Sequence, residues 1–136
     1  MNSSKKHYHA GCGITMKSSY YQVKFTDEWY EPILEGRKTQ TMRIPSSRWE
    51  VQEEDIVLAN FKNIDKKILL EIKKVGYKNF GSINDEDAKR EGVSNAAELK
   101  HILQEIYEGY LLESYNRVYY YRFEVIGVIE EVRDTQ

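Results

Sequence analysis

Apolar and polar positions change period along this chain, and the changes mark out its elements. Residues 1–19 (MNSSKKHYHAGCGITMKSS) show no apolar period. Such a stretch cannot offset the entropy of ordering, so it is expected to be a structureless tail ahead of one domain over residues 20–136. From Tyr20 the run YYQVKF is aromatic and β-branched, which suits a strand. The following TDEWYEPILEG predicts a helix, with Thr26 as N-cap, Asp27 and Glu28 in the first turn, and Gly36 as the left-handed stop. Pro32 keeps that helix short. TQTMRI, DIVLANF and KKILLEIKKVGY then read as three strands bounded by polar turns. Asn84 opens an acidic helix that stops at Gly92, and Ser94 or Asn95 caps a second one. In that second helix Ala96, Leu99, Ile102, Leu103 and Ile106 share one face. The closing run RVYYYRFEVIGVIEEV alternates with period two, placing Tyr119, Tyr121, Phe123 and Val125 on one side of a long strand bent at Gly127. With no regular strand–helix alternation and no internal repeat, the order predicts an α+β fold: a small, mostly antiparallel β-barrel with flanking helices.

Composition narrows the function classes. A chain of 136 residues suits a single domain, and 11 Tyr, 4 Phe and 2 Trp within 40% hydrophobic residues are enough for a core. With 20 Lys+Arg against 22 Asp+Glu the net charge is −2, which excludes indiscriminate coating of duplex nucleic acid. Any contact with nucleic acid must be local. Cys12 is the only cysteine, so an internal disulfide and a multi-cysteine metal site are excluded and a reducing cytoplasm is the expected setting. His7, His9 and Cys12 lie in the expected tail with nothing to orient them, and no metal is expected there. No apolar run approaches the roughly 18 residues of a membrane span, so no membrane partner is expected. Neither a phosphate-cradling glycine loop nor a dinucleotide fingerprint is present, and no cofactor is expected.

The near-neutral total hides an asymmetry. Residues 36–78 hold ten Lys+Arg and six acids, while residues 82–115 hold three and eight. Within Gly36–Trp49, Arg37, Lys38, Arg43 and Arg48 occur with no carboxylate, the composition of a local anion site for a phosphate or a few nucleotides. Lys66, Lys67, Lys73 and Lys74 are assigned instead to solvated strand faces. Trp49, beside Arg48 in a polar loop, is expected to be a surface aromatic able to stack a base. Tyr20, Tyr21, Tyr77 and Phe80 could stack a base or fill the core. In a strand over Thr39–Ile44, Thr39, Thr41 and Arg43 would share one face, leaving Gln40, Met42 and Ile44 for the other. Lys38 joins Thr41 only if the turn at Gly36 breaks the pleat.

The segment Gly36-Arg37-Lys38-Thr39-Gln40-Thr41-Met42-Arg43 resembles the signature of the ASCH domain, a PUA-like barrel family associated with RNA, whose Gly-x-Lys-x-x-Thr-x-Arg pattern follows the first helix. INDEDAKREGVSNAAELKHILQEIY resembles the helical segment of the same family, and the likeness runs from about Val23 to Ile126. Within the family the chain is similar to small amidohydrolases of N(4)-acetylcytidine. That resemblance implies Lys38, Thr41 and Glu91 as catalytic residues, and RNA or a modified nucleoside as partner. An extra loop at Tyr110–Arg117, and Glu54 where relatives often have glycine, depart from the pattern.

Removing an acyl group from an exocyclic amine needs a nucleophile, a base and an acid. Thr41, Lys38 and Glu91 would fill these roles in that order. Lys38 would have to fall from about 10.4 toward roughly 7 to 8, by burial and a neighbouring cation such as Arg43, and Glu91 would have to rise. In the alternative, Lys38 and Arg43 hold phosphate, Thr41 bonds a base and Glu91 pairs near a helix end; Lys38 and Glu91 alone together would form an ordinary ion pair, with the lysine charged and useless as a base. The residues alone place recognition of RNA or a modified nucleoside ahead of catalysis.

Overall fold

The computed structural model describes residues 6–10, 20–109 and 111–133, with side chains over 20–109 and 111–130. Its strands are β1 (Lys6–Ala10), β2 (Tyr21–Phe25), β3 (Gln40–Arg43), β4 (Ile56–Phe61), β5 (Lys66–Asn79) and β6 (Arg117–Arg133). Its helices are α1 (Tyr30–Leu34), α2 (Asp85–Glu91) and α3 (Ala96–Ile106). One sheet runs β1-β6-β5-β4-β2, and β3 lies against β6. Only the β2–β4 pair is parallel. The long β6 organises the sheet: β5 follows one edge over Arg117–Glu130, while β3 and β1 pair with its Tyr119–Arg122 and Ile129–Arg133 segments. β1 lies within the stretch expected to have no structure. Its pairing uses backbone groups, which need no apolar period. The rest of that stretch lies outside the described residues.

The α+β class and the antiparallel majority agree with the sequence pattern, but the sheet is not closed into a barrel. Among the described residues β2 and β3 share no backbone ladder. Side chains span the seam instead. Arg43 Nη2 donates to the Lys24 carbonyl at 3.4 Å, and the Arg43 guanidinium lies 5.5 Å from the Phe25 ring and 5.3 Å from that of Trp49.

The main core joins Val23, Phe25, Ile33, Val57, Phe61, Ile68, Leu70, Ile72, Tyr121 and Phe123, with Tyr119 and Val125 at its margin. This is the β6 face expected from alternation. Val125 pairs with Leu70 and Gly127 with Leu69, so Ile126 is skipped and β6 is irregular beside Gly127. A second cluster places Met42 and Ile44 against Ala88, Leu99 and Leu103, docking the α2–α3 hairpin beside β3. Trp49 overturns the expectation of a surface aromatic. It is 8% exposed in the main core, stacked on Tyr121 with ring centroids 4.8 Å apart. The Tyr121 hydroxyl accepts from Trp49 N at 2.9 Å and donates to Trp49 O at 3.0 Å, so the polar loop is tied down and its ring turned inward.

Candidate functional site: a buried lysine–glutamate pair in the open seam

The chain delivers Lys38 through a helix that stops abruptly. A 3-10 turn over Asp27–Trp29 leads into α1, and Pro32 falls in the first turn, where its missing N–H costs nothing. Gly36 takes φ +78°, and the Arg37 and Lys38 amides both donate to the Pro32 carbonyl at 2.8 and 3.0 Å. That turn breaks the pleat ahead of β3, as Lys38 requires to share a hollow with Thr41.

Glu91 arrives from the other side. Asn84 and Asp87 form a reciprocal capping box at the start of α2, and Gly92, at φ +82°, ends it. A Cβ on Gly92 would lie 3.4 Å from the Arg37 carbonyl and 3.5 Å from Lys38 Cβ. Those are ordinary contact distances, so it is the left-handed backbone rather than crowding that calls for glycine there; the helix end rests on the Gly36–Lys38 turn, which sets Glu91 against Lys38. Asn95 rather than Ser94 caps α3, accepting from the Glu98 amide.

Lys38 Nζ donates to Glu91 Oε1 and to the Gln40 carbonyl, both at 2.9 Å, and lies 4.7 Å from the centroid of the Trp29 ring. Each side chain of the pair is 5% exposed. Burial pushes the Lys38 amine down from its ordinary value, against the pull of Glu91, and the Arg43 charge adds to the downward push. Burial likewise pushes the Glu91 carboxyl up, against Lys38, Gln40 and Arg43. Desolvation favours the neutral form of both groups, and one proton passing from Nζ to the carboxylate satisfies both without changing net charge.

Gln40 is fully buried and holds this pair in place. Its Nε2 donates to Glu91 Oε2 and Asp87 Oδ1, each at 3.3 Å, and its Oε1 accepts from Arg122 Nε at 3.0 Å. Lys78 completes the network with a 2.7 Å contact to Asp87. Burial alone would raise the Asp87 carboxyl, but hydrogen bonds from Lys78, the Asn84 amide and Gln40 hold it below its ordinary range. Gln40, Asp87, Lys78, Arg122 and Trp29 are absent from the sequence-derived site. The available signal was Gln40 itself, an amide at a position expected to face the apolar core with Met42 and Ile44.

A cavity of about 140 Å³ opens in the seam between β2 and β3 under the α2–α3 hairpin. Lys38, Thr41, Arg43 and Glu91 line it, with Trp29, Phe25 and the α3 residues Leu99, Ile102, Leu103 and Ile106. Arg43 Nε is buried there and has no hydrogen-bond partner. The unclosed sheet and the cavity are thus one feature: cationic and hydroxyl groups of β3 occupy the gap where a β2 backbone would otherwise pair. Three other expected contributors lie elsewhere. Arg37 is exposed and paired with Glu35 at 2.8 Å. Arg48 is exposed, bonded to the Pro45 carbonyl. Trp49 is in the core beneath Arg43. Local sequence concentrated these charges, but a short strand sends its neighbours to different sides. Among the described residues no group of three or more His, Cys, Asp or Glu could hold a metal ion. No described helix is long and apolar enough to cross a membrane. The candidate ligands His7, His9 and Cys12 lie outside the residues whose side chains are described.

An open, mostly antiparallel sheet with a helical hairpin over its seam defines a fold class that solved structures share. The ASCH domain from Lactobacillus crispatus JV V101 superposes with a TM-score of 0.63 at 17% identity, over 80% of this chain and 80% of that one. Protein EF3133 from Enterococcus faecalis V583 gives 0.69 at 12% identity, over 85% of this chain and 80% of that one. The hypothetical protein PH0355 gives 0.62 at 18% identity, over 79% of this chain and 100% of that one. The chain has the ASCH-domain fold. No family model matches its sequence, and no curated protein matches it.

Proposed function

We propose that the cleft removes an acyl group from the exocyclic amine of a modified pyrimidine nucleoside such as N(4)-acetylcytidine. The observation that carries this reading is the Lys38–Glu91 pair, in contact at 2.9 Å, buried, and lining one cavity with Thr41. A carboxyl pushed up and an amine pushed down in one cleft are what acid–base work near neutral pH requires. This reading puts catalysis ahead of recognition, on the strength of the buried pair. An amine in contact with a carboxylate in water would stay charged, but burial acts against that charge on both groups.

The chemistry follows from the protonation states. In the neutral pair one Lys38 N–H donates to Gln40 O, and the proton passed to Glu91 Oε1 points back at the Lys38 lone pair, so Lys38 becomes a base as substrate draws the Glu91 O–H toward the amine. Thr41 Oγ attacks the acyl carbon and its proton passes to Lys38 Nζ. The tetrahedral intermediate collapses, the C–N bond breaks, and the departing amine takes a proton from Glu91. Water then hydrolyses the threonyl ester, its proton passing to Glu91 while Lys38 returns the borrowed proton to Thr41 Oγ. The unpartnered Arg43 Nε–H is a donor available to the acyl oxygen.

The cavity is smaller than the roughly 300–1,000 Å³ clefts that bury a drug-sized ligand. A volume of about 140 Å³ suits the acylated ring edge, with sugar and phosphate outside. The test is incubation with N(4)-acetylcytidine, following cytidine and acetate. Turnover that is lost in Thr41→Ala and retained in part by Thr41→Ser supports the reading, with thermal unfolding run to show that both variants fold. Saturable nucleoside binding without turnover would instead favour recognition alone, the second reading, which Arg43 serves equally well as a donor to a base carbonyl or phosphate.

A further inference from the structure

Beyond the cleft, three arginines and two tyrosines form a continuous line across the sheet. Arg43 of β3 pairs in register with Tyr119 of β6, and Tyr119 pairs with Tyr77 of β5. Paired residues of adjacent strands project to the same face, so the three side chains extend the cleft outward over roughly 10 Å. The rings of Tyr77 and Tyr119 are 5.9 Å apart and tilted by 58°. Arg117 lies 4.0 Å from the centroid of Tyr77, and Arg48 lies 5.8 Å from that of Tyr119. Tyr77 is 58% exposed, although it continues the face that carries the main core. None of the three arginines forms an ion pair among the described residues.

A flat aromatic flanked by uncompensated guanidinium groups is poor covering for a solvated sheet, and it matches the chemistry of unpaired bases on a phosphate chain. We infer that Arg48, Tyr77, Arg117 and Tyr119 form a platform that stacks the nucleotides flanking the one whose base enters the cleft. The preferred partner is therefore single-stranded RNA rather than a free nucleoside. This inference rests on the nucleoside reading of the cleft and extends it to a polymer. A duplex holds its bases stacked inside and cannot lay them on Tyr77. A net charge of −2 agrees with a contact confined to this line rather than a general attraction to polyanions.

The test is titration of a fluorescein-labelled single-stranded RNA decamer against the full chain by anisotropy, with duplex RNA of the same sequence alongside. Tyr77→Ala is expected to weaken single-strand binding by about 5- to 100-fold, and Tyr77→Phe to restore it. Arg117→Gln is expected to lower the slope of log affinity against log salt by about 0.7. Single-strand binding that Tyr77→Ala leaves unchanged, duplex binding as tight as single-strand binding, or no RNA binding would each overturn the inference; the last is the result for a protein-docking face. Acetylcytidine turnover is measured separately, so failure of the cleft chemistry and failure of the platform are distinguishable.

Discussion

Glu91→Gln isolates the buried amine and gives the sharpest test of the electrostatics. In the native protein the Lys38–Glu91 pair holds one proton in either tautomer, and the unfolded chain also holds one between the ordinary carboxyl and amine ranges. Folding thus changes no proton count there, and the pair contributes no pH dependence across the neutral range. Glutamine keeps the size of Glu91 but removes its charge, leaving Lys38 buried with no anionic partner. Lys38 then folds neutral, while in the unfolded chain it stays protonated up to about 10.4. The unfolded state binds the extra proton, so the variant's stability rises with pH at about 1.4 kcal/mol per unit. Titration of Lys38 accounts for at most about 4.6 kcal/mol of loss relative to wild type at pH 7 and at most about 1.9 kcal/mol at pH 9. The pH 7 figure agrees with the roughly 3–5 kcal/mol that breaking a buried pair usually costs. Urea unfolding of both proteins at pH 7, 8 and 9 reads the difference directly. An equal loss at all three values would mean that Lys38 stays charged inside the fold, and the argument from burial would fail with it.

Lys38→Met should give the opposite slope: the lone Glu91 folds protonated, so the titration part of its destabilisation, at most about 3.7 kcal/mol at pH 7, falls to at most about 1 kcal/mol at pH 5 in the same unfolding assay. The double variant Lys38→Met/Glu91→Leu should be more stable than either single one, because no buried charge is left unpaired. Turnover of N(4)-acetylcytidine should follow a bell-shaped pH profile. It is lost on the acid side when the pair takes a second proton and on the alkaline side when it loses its first. With Glu91 raised from 4.5 and Lys38 lowered from 10.5 by burial, both limbs should fall inside that interval; limbs at the ordinary values would refute the argument from burial. Trp49→Ala should destabilise by about 3–5 kcal/mol in thermal or urea unfolding, as a core ring does, where a surface aromatic would cost little. Gly92→Ala should cost about 1–2 kcal/mol in urea unfolding for its left-handed backbone, since a Cβ there meets its neighbours only at ordinary contact distances; unchanged stability would contradict that backbone assignment.

The elements were legible because their signals are local. The Asn84–Asp87 capping box, the stops at Gly36 and Gly92, and the alternation of Tyr119, Tyr121 and Phe123 each lie within a few residues of what they control. Lys38, Thr41, Arg43 and Glu91 were legible as a set only through a family signature, since 53 residues separate Lys38 from Glu91 and no periodicity spans that gap. Trp49 misled because a polar loop implies exposure, while the hydrogen bonds to Tyr121 that turn it inward come from the far end of the chain. The role of Gln40 is invisible to alternation, which reports which way a side chain points and is silent about what meets it.

Sequence by itself determined where chain direction changes, which faces are apolar, and that cations gather between Gly36 and Trp49, all consequences of backbone stereochemistry and short-range spacing. The fold then divided those cations between an enclosed cleft and the exposed surface. By leaving β2 and β3 unpaired and seating the α2–α3 hairpin over the gap, it turned Arg37 and Arg48 outward and enclosed Lys38 with Glu91. Desolvation depends on atoms brought from distant parts of the chain, so the property that makes this pair chemically useful exists only once the fold has formed.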